Sequence, residues 1–249
     1  MRILLTNDDG VGAPGLELLR SAFSPRAEVT IVAPVGAQSG MSHSTTSRIP
    51  VRVHQLDSRG GVPVYAVEGT PVDCVKLALN NLLPVPPDLV ISGMNHGSNA
   101  GVNAMYSGTV GAALEATIAG LKSVAFSTLQ TSLLADLTPC VPYCLQVAQQ
   151  ILEHKVPEFT SFNVNFPAQR IRGIKACRQA KTRWRNSFMA QEDPHGKIVY
   201  WLAGEVENLE KQAKDTDLYY LDAGYATVVP ITIDWTRHDY LQQMAQWTW

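Results

Sequence analysis

The chain has 249 residues, of which 45% are hydrophobic and 17% charged, with a formal net charge of −2. This suits one globular domain with a sizeable core, and no basic excess points to a nucleic-acid polymer as partner. The four cysteines, Cys74, Cys140, Cys144 and Cys177, form no Cys-x-x-Cys pair, so they read as free thiols in a reducing compartment.

Met1-Arg2 leads directly into an apolar run, with no h-region or cleavage site, and the expected location is the cytoplasm. Residues 3–6 predict a buried strand. A helix over 14–23 follows, with Pro14 at its first turn. Strands at 29–33 and 64–67 come next. Thr70-Pro71 then reads as N-cap and first residue of a helix reaching 82. A strand at 89–92, an Ala-rich helix at 110–121, a strand at 124–127, a helix at 139–152 and a strand at 161–164 continue the alternation. Such alternation predicts an α/β fold, a mostly parallel sheet with helices on both faces.

From about residue 170 the pattern changes. Runs at 198–202 and 226–233 read as strands on either side of a polar, irregular stretch, and 236–247 as an amphipathic helix. Strands without crossover helices predict antiparallel hairpins. The expected organisation is a core over 1–169 and a C-terminal α+β hairpin and helix region over 170–249. Trp235, Tyr240, Met244, Trp247 and Trp249 have the composition of a protein contact surface, so this region is expected to make a subunit interface.

Chemistry concentrates in loops after the predicted strands, which in a parallel sheet emerge at one rim. Asn7-Asp8-Asp9-Gly10 follows the first. Adjacent carboxylates repel unless a cation sits between them; the same tetrapeptide is also a common turn. Ser39 and Asn95, in the loops after residues 33 and 92, are neutral oxygen donors, and equally turn formers. With Asp8 and Asp9 they would make an all-oxygen set of the kind Mg²⁺, Mn²⁺ or Ca²⁺ prefers over zinc. Residues 89–114 carry no charge and are too rich in Gly, Asn and Ser to span a membrane. They read as a loop built around a ligand, ending at Ser107-Gly108-Thr109 before the Ala-rich helix. That helix start is an anion site or a simple N-cap. Neither a Walker loop nor a dinucleotide fingerprint is present.

The runs Thr6-Asn7-Asp8-Asp9-Gly10-Val11, Gln38-Ser39-Gly40, Gly69-Thr70-Pro71-Val72-Asp73, Ser92-Gly93-Met94-Asn95-His96-Gly97-Ser98-Asn99 and Tyr106-Ser107-Gly108-Thr109-Val110, in this order, resemble the SurE family of survival-protein 5′/3′-nucleotidases. Thr216-Asp217 and Gly224-Tyr225 extend the resemblance into the C-terminal third. It implies a Rossmann-like core with a C-terminal region that builds dimers or tetramers. It implies a divalent-metal phosphatase for nucleoside 5′-monophosphates, and also 3′-monophosphates, with Mg²⁺ or Mn²⁺ as the ion. Asp8, Asp9, Ser39 and Asn95 match the family's metal ligands, and Asn99, Ser107, Gly108 and Thr109 its phosphate-binding segment. Asp8 or Asp9 would orient or deprotonate the attacking water. Asp234 and His238 read as a structural pair, and no role is carried over to His96. The rival reading is a non-catalytic nucleotide-binding or receiver-like Mg²⁺-dependent signalling protein. A receiver needs an acceptor Asp after a central strand, where this chain has Pro34 and Glu68-Gly69.

Overall fold

The computed structural model describes residues 1–185 and 188–248. In chain order the first two thirds contain β1 (Arg2–Thr6), α1 (Pro14–Phe23), β2 (Glu28–Pro34), β3 (Val53–Arg59), β4 (Val62–Val67), α2 (Pro71–Leu77), β5 (Leu89–His96), α3 (Gly108–Ile118), β6 (Ser123–Thr128), α4 (Val141–Glu153) and β7 (Thr160–Phe166). The remainder contains β8 (Ile174–Ala176), β9 (Thr182–Arg185), β10 (Phe188–Glu192), β11 (Ile198–Leu202), β12 (Glu205–Asn208), α5 (Asp217–Asp222), β13 (Ala226–Thr232) and α6 (His238–Met244).

Among the described residues, nine strands form one sheet in the order β3-β4-β2-β1-β5-β6-β7-β13-β8. The six strands from β4 to β7 in this order run parallel. β3 closes one edge antiparallel to β4. β13 pairs antiparallel with β7, and β8 lies beside it. The chain leaves β1 toward β2 and β4, then returns to build β5, β6 and β7 on the other side. The crevice beyond the carboxyl ends of β1 and β5 is therefore the switch point where open α/β sheets bind ligands.

The apolar run of β1 is continuous because both faces are covered. Ile3 and Leu5 pack with Leu16 and Leu19 of α1 and with Cys144 and Val147 of α4. Leu4 faces the other way, toward Cys74 and Val75 of α2 and Ala112 and Ala116 of α3. The small residues of α3 let neighbours come close. A Cβ at Gly111 would lie 2.3 Å from the carbonyl oxygen of Ser42, so the loop after β2 rests on this helix.

Several elements differ from the sequence expectations. α2 ends at Leu77, and a wider helical turn covers Ala78–Leu82. β5 continues to His96, with a register shift between Ser92 and Asn95. Asn95 thus stands on a strand end rather than in a loop. The shift needs Gly93: its φ is +134°, and a Cβ there would lie 2.3 Å from the carbonyl oxygen of Phe126. Beyond residue 170 there are antiparallel pairs, β10 with β11 and β9 with β12. The region also adds β8 and β13 to the main sheet, and its irregular stretch holds β12 and α5. Trp249 lies outside the described residues. Among those described, no helix is long and apolar enough to cross a membrane.

Candidate active site

The turn after β1 divides the labour of its four residues. Asn7 closes it, donating from Nδ2 to Gly10 O at 3.0 Å and accepting from Gly10 N at 3.2 Å. Gly10 takes φ +99°, the left-handed region that favours glycine. The turn reading therefore holds for Asn7 and Gly10, and the side chains of Asp8 and Asp9 are not spent on it. The Asp8 carbonyl accepts from Gln38 N at 2.7 Å, which docks the Ser39 loop on the first turn.

Asp8 is buried at the start of α3. The Thr109 hydroxyl donates to its Oδ1. A Cβ at Gly108 would lie 3.0 Å from the Asp8 Cβ, so a larger residue would press the helix start and the Asp8 side chain apart by a few tenths of an ångström. Ser107 caps the helix by accepting from Val110 N at 3.1 Å. Burial pushes the Asp8 carboxyl up to about 6, the Thr109 hydrogen bond pulls the other way, and the Asp9 charge adds to the rise.

The hydroxyl-rich loop after Ser39 is fastened along its length. Ser42 Oγ donates to Met105 O at 2.7 Å. The His43 ring and Lys76 Nζ both meet the buried Glu115 carboxylate, at 2.9 and 2.6 Å. Thr46 donates to Asp73 from its backbone N at 3.0 Å and from Oγ1 at 2.6 Å. Asp73 also completes the capping box of α2 with Thr70. Its burial favours the neutral form, but the hydrogen bonds from Thr46 and Thr70 outweigh this and hold it below the usual carboxylate range. Sequence reading found the Thr70 cap and missed the second role of Asp73, which depends on a partner 27 residues away.

The third segment follows β5. Asn95 Nδ2 donates to Gly97 O at 2.8 Å, leaving Oδ1 as its acceptor. Asn99 is held on all sides. Its N donates to Asn165 Oδ1 at 2.8 Å, its O accepts from Asn163 Nδ2 at 2.8 Å, and its Nδ2 donates to Ser127 Oγ at 2.7 Å. Asn163 and Asn165 lie buried on β7. Two asparagines alternating in a buried strand were the available signal for this support. The His96 ring packs 3.7 Å from Asp9 Oδ2, and neither ring nitrogen has a hydrogen-bond partner among the described residues. Asp234 and His238 pair at 2.6 Å on the exposed approach to α6.

Asp8, Ser39, Asn95, Asn99 and Ser107 line one cavity of about 490 Å³. Gly108 and Thr109 touch it through Asp8, and Asp9 through the His96 backbone N at 3.4 Å. A second cavity, about 520 Å³, is lined by Val110, Leu114, Val229 and Trp235 and reaches neither Asp8 nor Ser39. No lysine or arginine lines the first cavity among the described residues. The buried Asp8 carboxyl, held toward its protonated form by burial and by the neighbouring Asp9 charge, shares this cavity with neutral oxygens, which leaves the site short of positive charge. Among the described residues, no group of three or more His, Cys, Asp or Glu is poised for a metal. A hard divalent ion that accepts Asn and Ser oxygens beside two carboxylates is the cation that this donor set fits.

The family model described as "Survival protein SurE" matches residues 3–186. The chain belongs to the SurE family. The SurE match spans every candidate ligand and phosphate residue named above. A protein named 5′-nucleotidase SurE from Flavobacterium psychrophilum is 42% identical over 249 residues, covering 98% of this chain and 96% of that one. Another of the same name, from Phocaeicola vulgatus, is 39% identical over 246 residues, covering 98% of this chain and 96% of that one. The crystal structure of the SurE protein from Aquifex aeolicus superposes with a TM-score of 0.84 at 35% identity, covering 98% of both chains.

Proposed function

We propose that the protein is a divalent-metal-dependent phosphatase that hydrolyses nucleoside 5′-monophosphates, and also 3′-monophosphates, to nucleoside and phosphate. The observation that carries this reading is the meeting of a buried, cation-deficient carboxylate, Asp8, with the first turn of α3 through Thr109. The SurE-named relatives, 5′-nucleotidases by name, support the substrate class.

Asp8, Asp9, Ser39 and Asn95 hold one divalent ion per subunit, Mg²⁺ or Mn²⁺. When bound, the ion supplies Lewis acidity to the phosphoryl group and to water. The first turn of α3, Gly108 and Thr109, faces the non-bridging oxygens together with Ser107 and Asn99, as a helix start suits an anion; the Thr109 backbone N–H also reaches the Asp8 carboxylate and so ties this turn to the metal ligand. Asp9 is the more exposed carboxylate of the pair, and it orients a water toward phosphorus and accepts its proton. The oxygen–phosphorus bond forms on one side as the ester bond to the nucleoside breaks on the other, the departing nucleoside oxygen taking a proton from solvent and the Asp9 proton being returned to solvent. Positioning and charge stabilisation account for most of the acceleration in such transfers.

The core over 1–169 carries this chemistry, and the region over 170–249 builds a dimer or tetramer. The four free cysteines suit a cytoplasmic location. Phosphate release from a panel of nucleoside 5′- and 3′-monophosphates in the presence of Mn²⁺ tests the reading. Turnover of the 5′-esters is expected; a panel that stays inert would leave only a nucleotide-binding protein.

A further inference from the structure

The active-site cavity has a polar floor and an apolar mouth. Asp8, Asn95, Asn99 and Ser107 lie deep, while Trp184, Tyr106 and Leu202 line the same space with 37%, 53% and 74% of their surface exposed. Trp184 and Leu202 come from the C-terminal region, far in sequence from every candidate ligand.

The placement of Trp184 is built, not incidental. Alternate residues of a strand share a face. On β9, Thr182 and Trp184 share one. Arg183 and Arg185 occupy the other, where both pair with Glu207, at 2.7 and 2.6 Å. The Thr182 face is fastened to the loop that leads to the phosphate segment. Thr182 Oγ1 accepts from Val102 N at 2.7 Å, and Gln179 Nε2 donates to Gly101 O at 2.8 Å. The buried Asp217 carboxylate accepts from Gly101 N at 2.8 Å and from Ala180 N at 2.9 Å. Gly101 is required at this contact, since a Cβ would lie 2.7 Å from Thr182 Oγ1. Two residues beyond this clamp, the indole of Trp184 is held at the cavity mouth.

We propose that Trp184, with Tyr106 beside the phosphate segment, is the stacking platform for the nucleobase and sets the preference for nucleotides over other phosphate monoesters. The inference rests on the phosphatase reading above and deepens it. A nucleoside monophosphate is polar at one end and flat and aromatic at the other, as the cavity is. About 490 Å³ lies within the range of small-molecule sites. Stacking on an indole accepts any base, because every base has a π-face. The platform therefore selects for the presence of a base and discriminates modestly among bases.

The test compares AMP with ribose 5-phosphate, which carries the same phosphate and sugar without a base. For the wild-type protein with Mn²⁺, kcat/KM is expected to be at least about tenfold higher for AMP. Trp184→Ala is expected to collapse that ratio by about tenfold, chiefly through KM for AMP, and Trp184→Phe to preserve most of it. An AMP to ribose 5-phosphate ratio that is the same in Trp184→Ala as in wild type overturns the inference. Equal efficiency on both esters in the wild type overturns it with no variant needed, and leaves the phosphatase reading standing. Hydrolysis of neither ester removes that reading and this inference with it.

Discussion

The Thr109 hydroxyl donates to the Oδ1 of Asp8 across 101 residues of sequence. This bond joins the end of β1 to the start of α3, and so fixes the proposed metal ligand against the proposed phosphate segment. Thr109→Val keeps the shape and removes the donor. A hydrogen bond to a charged group contributes roughly 1.5–3 kcal/mol, so kcat/KM for AMP is expected to fall about ten- to hundredfold. Thr109→Ser should recover most of it. Steady-state kinetics with thermal melting checks this, and undiminished activity in the valine variant would count against the coupling.

Asp8 also makes a prediction about stability and pH. Its carboxyl ordinarily titrates at 3.8 and is raised to about 6 in the fold. Between these values the folded protein holds a proton that the unfolded chain has lost. The metal-free fold therefore loses stability as pH rises through this window, by about 3 kcal/mol in full. Asp8→Asn removes the penalty. Without metal, the variant is expected to melt above wild type at pH 7 to 8, with the gap closing toward pH 4, and to be inactive throughout. Calorimetric scans of both proteins in EDTA settle the sign; a variant that melts below wild type at pH 8 would contradict it.

Asp73 is expected to act through the loop that carries Ser39. It accepts from Thr46 N, Thr46 Oγ1 and Thr70 N. Asp73→Ala removes a helix cap and a loop anchor together, and should cost about 2–4 kcal/mol. Hydrogen exchange should speed up at residues 42–46 before the sheet is affected. Unchanged protection of the Thr46 amide would show that the loop is held by other means.

The C-terminal region tests the assembly. Phe188 and Tyr200 stand 66% and 68% exposed on the β10–β11 hairpin, and two strands alone rarely hold their shape in water. Sedimentation at micromolar concentration is expected to give a dimer or tetramer, and the double variant Phe188→Glu, Tyr200→Glu a smaller mass. Deleting residues 235–249 asks whether the terminal aromatic segment shares the contact. A monomeric wild-type mass would refute the interface.

Much of the core was legible because helix and strand periods were clean. The buried run Ile3-Leu4-Leu5 and the Thr70-Pro71 cap are local signals, and local signals survive into the fold. β3 was not legible: it is an edge strand with most of its residues exposed and no apolar alternation. β9 and β12 were hidden for the same reason, with charged residues on one face. The residues after β1, β2 and β5 could be gathered at one rim, because parallel topology alone brings such loops together. Trp184 could not be placed there, since its position depends on the clamp between Gly101, Thr182 and Asp217, which no local pattern announces. Asn163 and Asn165 support Asn99 from β7 in the same nonlocal way.

Asp8, Asp9, Ser39 and Asn95 are proposed to gather a divalent ion on which phosphate release depends. The most direct measurement is phosphate release from AMP by the full-length protein after exhaustive chelation, followed by titration with Mn²⁺ and Mg²⁺. Release is expected to cease in EDTA and to return with either ion, and Asp9→Asn is expected to give no return at the same concentrations. Full activity in the chelated protein would contradict the claim.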